Sequence, residues 1–445
     1  MTNGADIAWV LVASALVLFM TPGLALFYGG LVRNKNVITT MYQVIAVALI
    51  ISIQWILFGY SLAFGPDVMH LIGNFHFALF YHVGFAPDPA YASTIPAELF
   101  AIFQMMFAII TPAVIVGGLA ERVKFSSFLV FSLLWSTLIY DPLTHWVWGQ
   151  GGWLHQMHLL DFAGGTVVEM ASGISGLVCA MYLGKRHGHG TGAIKAHNVP
   201  LVIIGTAILW FGWFGFNAGS ALAANDVAVN AFLVTNTAAA ASGIAWVLIE
   251  RWQTGHASII GAAAGIVSGL VAITPASGFI NPGASIVLGL IAGVISYFFS
   301  TMFKNYFGYD DALDAFGAHG IGGTWGMVAT GLFATIAVNP QGLNGLFFGN
   351  SQTLWVELLA IVVTWVFCGA GTWVLLKVVD LIMGIRVTPE EEKIGLDVIM
   401  HNENAYPENL TFDVAANLFE SLKKKSPELM KKDWLPDADP PKIDQ

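Results

Sequence analysis

IAWVLVASALVLFMTPGLALFYGGLV, residues Ile7–Val32, decides the fold. A bilayer is crossed by roughly 20 predominantly apolar residues in a helix, and this run is long enough. Arg33 and Lys35 follow it at once. The start, MTNGADIAW, lacks a basic n-region, and the run is too long for the core of a signal peptide. It therefore reads as a first membrane span.

Runs of the same kind recur along the chain at Val37–Gly65, Glu98–Ala120, Phe125–Trp148, Phe162–Gly184, Val199–Ala218 and Val227–Ile249. They continue at Ser258–Pro275, Ala284–Phe303, Phe316–Val338 and Leu354–Gly384. Composition agrees. Of 445 residues, 56% are hydrophobic and only 10% charged, with a mean hydropathy of +0.70. A water-soluble fold could not hide that much apolar surface behind so few charges, whereas lipid accepts an apolar exterior. Cys179 and Cys368 both lie inside apolar runs and read as packing residues, not as a disulfide or a metal site. No cofactor, metal site or nucleic-acid partner is expected.

The basic residues set the sidedness. Odd-numbered loops carry Arg33 and Lys35, then Arg122 and Lys124, then Lys185, Arg186 and Lys195, then Arg251, then Lys304. Even-numbered loops, such as Pro66–Ala97 and Pro142–Leu160, carry no Lys or Arg. Basic loops stay on the cytoplasmic side. The expectation is an all-α integral membrane protein of eleven spans, N-terminus outside and C-terminus inside. Eleven leaves room for two inverted five-helix repeats plus one extra helix. An internal echo fits that plan: Glu169 precedes Gly173 and Gly176 as His319 precedes Gly323 and Gly326. Helix-packing glycines would give the same pattern.

Ionisable groups inside a bilayer are expensive and need a reason. Asp161, Glu169, Glu357 and Asp380 fall in or at the ends of spans, and His319 falls well inside one. Glu169 and His319 are best accommodated as a pair. That pair is either a proton-handling device on a conduction path or a bridge between helices. Asp161 precedes Phe162-Ala163-Gly164-Gly165 and reads as a helix N-cap, with the option of shaping a cation site from behind. Glu357 and Asp380 read as helix-end or inter-helix bonds. A cation site at an outer mouth would use aromatic faces. Trp148 stands at an outer span end, and Phe107 lies mid-span, one turn after Phe103.

Residues 1–384 form the membrane domain in this reading and 385–445 a cytoplasmic tail. Much of the net charge of −10 sits in that tail. It carries PEEEK near its start, KKK at Lys423–Lys425, and an amphipathic stretch at Leu410–Leu422. The bland reading is a solvated tail; its lysines would also suit anionic lipid.

Six stretches carry a resemblance: TPGLALFYGGLVR (Thr21–Arg33), GGLAERVKF (Gly117–Phe125), DFAGGTVVE (Asp161–Glu169), GWFGFNAGS (Gly212–Ser220), DDALDAFGAHGIGG (Asp310–Gly323) and GLDV…ENAY (Gly395–Tyr406). Over about residues 6–406 the chain resembles the Amt/Mep/Rh ammonium transporter family. The resemblance implies a homotrimer in the cell membrane, with one pore per subunit, conducting ammonium and its analogue methylammonium. By position, Phe107, Trp148 and Ser220 would bind ammonium at the outer mouth, with Asp161 in support. Phe107 and Phe216 would form the gate, with Phe103 one turn away, and Trp213 and Thr274 would line or brace the path. Ammonium would lose its proton near the site and ammonia would cross an apolar lumen.

One position departs from the family pattern. Most members place two histidines in the lumen; His319 matches the second, but Glu169 stands where the first is expected, as in a subset including some fungal members. A carboxylate accepts a proton directly, so the pair is expected to relay it and make transport electrogenic. The GLDV…ENAY segment implies a PII-type signalling protein as a partner at the cytoplasmic face. The competing readings are an electroneutral ammonia channel of the Rh kind, an ammonium sensor acting through the tail, and an intramembrane enzyme. The last lacks a nucleophile or a metal constellation such as HExxH, so no enzyme is expected.

Overall fold

A computed structural model describes residues 1–191 and 194–406. The tail features at Leu410–Leu422 and Lys423–Lys425 lie outside the described residues. Helices carry the fold in order: α1 (Gly4–Leu31), α2 (Asn34–Phe64), α3 (Ala97–Leu119), and α4, which runs Phe125–Trp135, Ser136–Tyr140 and Asp141–Trp148. Then come α5 (Gly165–Leu183), α6 (Val199–Gly219), α7 (Asp226–Thr254), α8 (Ile259–Ile273), α9 (Pro282–Phe307), α10 (Phe316–Gly320 with Ile321–Phe333) and α11 (Ser351–Met383). Two short helices follow, α12 (Pro389–Ile394) and α13 (Leu396–His401). A small hairpin, Asp67–Val68 paired with Ile72–Gly73, lies in the loop after α2.

The helix starts are written locally. Side chains of Asn3, Asn198, Asn225, Ser258, Asn281 and Asn350 each accept a backbone N–H in the first turn of α1, α6, α7, α8, α9 and α11. Each satisfies a donor that the helix itself cannot. In lipid that matters more than in water, because an unpaired backbone group has no solvent to turn to.

Among the described residues, nine helices are long and apolar enough to cross a membrane. The eighth and tenth expected spans form shorter helices. α8 stops at Ile273 because Pro275 follows in a turn, where its carbonyl accepts the Phe162 N–H at 3.1 Å. α10 stops at Phe333, short of Val338, because the chain turns back there: Thr335 N–H donates to Phe279 O at 2.9 Å. α3 is the central helix, with 94% of its apolar window buried, whereas α11 has only 28% buried and presents Trp355, Val362 and Val366 outward.

The echo between α5 and α10 has a geometric counterpart. Both helices open with a wide π-turn, Gly165–Met170 and Phe316–Gly320, and each turn holds one buried ionisable residue, Glu169 in the first and His319 in the second. Each is capped from upstream by a carboxylate: Asp161 accepts Gly164, Gly165 and Thr166 N–H, and Asp311 accepts Phe316 N–H. The helices cross where their glycines meet. A Cβ added to Gly173 would come within 2.0 Å of Gly320 N, and one added to Gly323 within 3.0 Å of Met170 N. The contact is reciprocal, as a local two-fold relation requires, and the missing side chains allow the close approach.

At the far end from Asp161, the basic loops converge. Glu121 pairs with Arg33 and Arg186 at 3.0 Å each, and Asp310 pairs with Arg122 at 2.9 Å and Arg186 at 2.8 Å. The segment after α11 joins them: Arg386 pairs with Glu392, Lys35 Nζ donates to Glu392 O, and Asp397 accepts the N–H groups of Ile38 and Thr39 at the start of α2. Burial raises the Glu121 carboxyl, but Arg186 and Arg33 outweigh it and hold the group below its usual range. Asp310 is likewise held low, because Arg186 and Arg122 outweigh its burial.

Candidate functional site

Two cavities lie within the bundle. The larger, a vestibule of about 320 Å³, is lined by Trp148, Asp161 and Ser220, with Gln104 and Asn339. The smaller, about 20 Å³, has room for roughly one water-sized molecule and is lined by Trp213, Phe216, Glu169 and His319 among apolar side chains. Between them stand aromatic rings. Phe107 meets Phe216, on the inner side, with centroids 4.4 Å apart, and Trp148, on the outer side, edge-on at 6.0 Å. Phe103 packs edge-on behind Phe107 at 4.9 Å and is fully buried. Phe107 thus joins Trp148, which lines the larger cavity, to Phe216, which lines the smaller.

The vestibule suits a small cation. Aromatic faces supply attraction without a buried anion. Ser220 Oγ–H donates to Phe216 O at 2.8 Å. Its proton is thus spent, and its lone pairs remain free to accept from a cation's N–H. Asp161 is fully engaged from behind: Oδ1 accepts Gly164 and Gly165 N–H, and Oδ2 accepts Thr166 N–H and the Thr166 hydroxyl. Gly164 has φ +115°, a left-handed conformation that lets the chain wrap this carboxylate. The Asp161 carbonyl accepts the Trp148 indole N–H at 2.8 Å, which fixes the ring. The carboxylate thus sits at the vestibule with both oxygens held by the turn that follows it.

Below the rings the chemistry changes. Glu169 Oε2 lies 2.7 Å from His319 Nδ1. The two residues are 1% and 5% exposed, so bulk water does not screen them. An imidazole that gives its Nδ1–H to the carboxylate keeps the Nε2 lone pair for another proton. Trp213 is braced, its indole N–H donating to Thr274 Oγ at 2.9 Å, while Thr274 itself stays out of the lumen. Among the described residues, no cluster of three or more His, Cys, Asp or Glu side chains is arranged to hold a metal ion.

Of the expected residues, Trp148, Asp161 and Ser220 line the larger cavity and Trp213, Phe216, Glu169 and His319 the smaller, while Phe107 packs on Phe216 and Trp148, Phe103 on Phe107, and Thr274 bonds Trp213. Sequence reasoning missed Gln104. It lines the vestibule three residues before Phe107, and among the described residues its Oε1 has no hydrogen-bond partner. A lone amide in an otherwise apolar span was the available signal. Glu357 and Asp380 do bond between elements, Glu357 to Leu160 N–H and Asp380 to the Tyr182 hydroxyl.

The comparisons agree with this architecture. The family model described as Ammonium Transporter Family matches residues 8–406. An ammonium transporter of Bacillus subtilis is 50% identical over 405 residues, covering 91% of this chain and 99% of its own. The crystal structure of Saccharomyces cerevisiae Mep2 superposes with a TM-score of 0.83 at 35% identity, covering 88% of this chain and 89% of that one. A solved structure described as a sensor Amt protein gives 0.82 at 30% identity, covering 89% and 98%. With a family model spanning almost every described residue and relatives matched nearly end to end, the chain belongs to the ammonium transporter family, on its Amt branch.

Proposed function

We propose that the protein recruits ammonium at the outer aromatic vestibule, deprotonates it near the Phe107–Phe216 stack, and passes ammonia through the narrow lumen. The proton is relayed by Glu169 and His319, so net transport is electrogenic. It is a transporter, not an enzyme. The observation that carries this reading is the Glu169–His319 contact in a cavity that Phe216 lines, beside the tilted Phe107–Phe216 ring pair. A lumen that excludes a hydrated cation favours crossing as ammonia, and the pair offers the separated proton a place to go.

In this reading Phe107, Trp148 and Ser220 hold the cation, with Asp161 as fixed charge behind them. Phe107 and Phe216 gate, Phe103 buttresses them, and Trp213 with Thr274 lines or braces the path. The chain crosses eleven times, N-terminus outside and C-terminus inside, as two inverted five-helix repeats plus α11. The reciprocal Gly173 and Gly323 contacts support the repeat, and the basic cluster at one end supports the orientation. Residues 1–384 make the membrane domain, and the tail from 385 faces the cytoplasm. We further propose a homotrimer and a PII-type protein docking at the cytoplasmic face, on the strength of the family alone.

The test is ammonium-evoked current in proteoliposomes, for the unmodified protein and Glu169→Gln, across pH. Current in the first and not in the second supports the relay. Ammonia flux without current in either would leave an electroneutral channel.

A further inference from the structure

Every residue assigned above to ammonium binding comes from α3, α4, the C-cap of α6 or the turn between α4 and α5. One buried carboxylate from outside that set reaches the same turn. Glu357, on α11, is 0% exposed, and its Oε1 accepts the Leu160 N–H at 2.9 Å. Among the described residues its Oε2 has no partner. Opposite its stem is Gly331, where an added Cβ would lie 3.2 Å from Glu357 Cγ. The missing side chain there leaves the carboxylate room to extend toward the turn.

We propose that Glu357 is a positioning residue for the outer cation site. Its target, Leu160, immediately precedes Asp161. The Asp161 carbonyl orients the Trp148 indole, its carboxylate caps α5, and the next residue, Phe162, donates its N–H to Pro275 O at 3.1 Å. Glu357 and Pro275 thus hold the turn from α11 and from the end of α8. Without the carboxylate, the Leu160 N–H would be a buried orphan, Leu160 being 6% exposed. The turn would shift, and the Trp148 ring with it. The single hydrogen bond, not a bridge using both oxygens, is what the geometry asks of this side chain.

This inference rests on the reading of the vestibule as the ammonium site. It is tested by methylammonium uptake into proteoliposomes, read as half-saturation and maximal flux. Glu357→Met keeps the volume and removes the acceptor; it should raise half-saturation roughly tenfold, the usual worth of one buried hydrogen bond, with maximal flux retained. Glu357→Gln keeps an acceptor and should restore the unmodified value. In a Trp148→Phe background, which lacks the indole donor, Glu357→Met should cost much less than it does alone. Should the Met variant not fold, Glu357→Asp decides, since it keeps the carboxyl group but withdraws the acceptor by one methylene; half-saturation should rise. Unchanged half-saturation in the Met or Asp variant, or an equal cost in both Trp148 backgrounds, would overturn the inference while leaving the transport reading intact. An unmodified protein that carries no substrate would overturn both.

Discussion

His319 Nδ1 and Glu169 Oε2 lie 2.7 Å apart although their residues are 150 positions apart in sequence. Each sits in the opening π-turn of its helix, and the two helices cross at glycines. An imidazole and a carboxylate so placed can pass a proton between them. Glu169→Gln keeps the shape and a hydrogen-bonding oxygen but removes the proton acceptor. Ammonium-evoked current should fall by about two orders of magnitude, the typical worth of a positioned acid–base group, with the protein still folded by size-exclusion and thermal melting. An unchanged current and pH profile would rule the relay out.

The vestibule should report its aromatic faces in affinity. Trp148→Leu removes one ring and should raise half-saturation for ammonium by about tenfold, within the range of a desolvated cation–π contact. Ser220→Ala should act in the same direction, since its oxygen lone pairs are the free acceptor. Dose–response currents check both, and a change confined to maximal current would contradict them.

Asp161 should matter to stability as well as to charge. Its carboxylate takes three backbone N–H groups and one hydroxyl. Asp161→Asn would turn an amide N–H₂ toward donors, at a cost of about 1–3 kcal/mol for each group left unpaired. A clearly lower melting temperature in detergent is expected. A variant as stable as the unmodified protein but inactive would assign Asp161 to charge alone.

Acid should loosen the ion-pair cluster around Glu121 and Asp310. Glu121 and Asp310 both bind a proton less tightly when folded than in the unfolded chain, because arginines face them. Their stabilisation is therefore complete above the unfolded carboxyl range of about 4 and is lost as the pH falls below it. Melting temperature should drop between neutral pH and pH 3, and Asp310→Asn should flatten that dependence. An unmodified protein whose melting point does not move with pH would refute the assignment.

The docked segment after α11 should depend on Asp397, which caps α2 from a distance through Ile38 and Thr39 N–H. Asp397→Ala should cost about 1 kcal/mol, as the loss of a helix cap does. Faster amide exchange across α12, α13 and the first turn of α2 would register it, and unaltered protection there would count against the docking.

Much of this was legible beforehand because a bilayer imposes rules that act residue by residue. Apolar runs, the Asp161 cap and the alternation of Arg33, Arg122, Arg186 and Lys304 with empty loops needed no tertiary information. Two expected spans came out shorter, at Ile273 and Phe333, because apolarity cannot separate a membrane helix from the buried turn that continues it. Gln104 was overlooked because a single amide in a span carries no periodic signal.

The sequence by itself determined which segments enter the membrane and which loops share a face, since hydrophobic transfer and charge desolvation depend on local composition. Only the tertiary structure decided that Glu169 meets His319, that Phe107 stands between Trp148 and Phe216, and that Glu357 reaches Leu160 from α11. Those contacts join residues far apart in the chain, and their geometry depends on how closely whole helices approach, which no local pattern encodes.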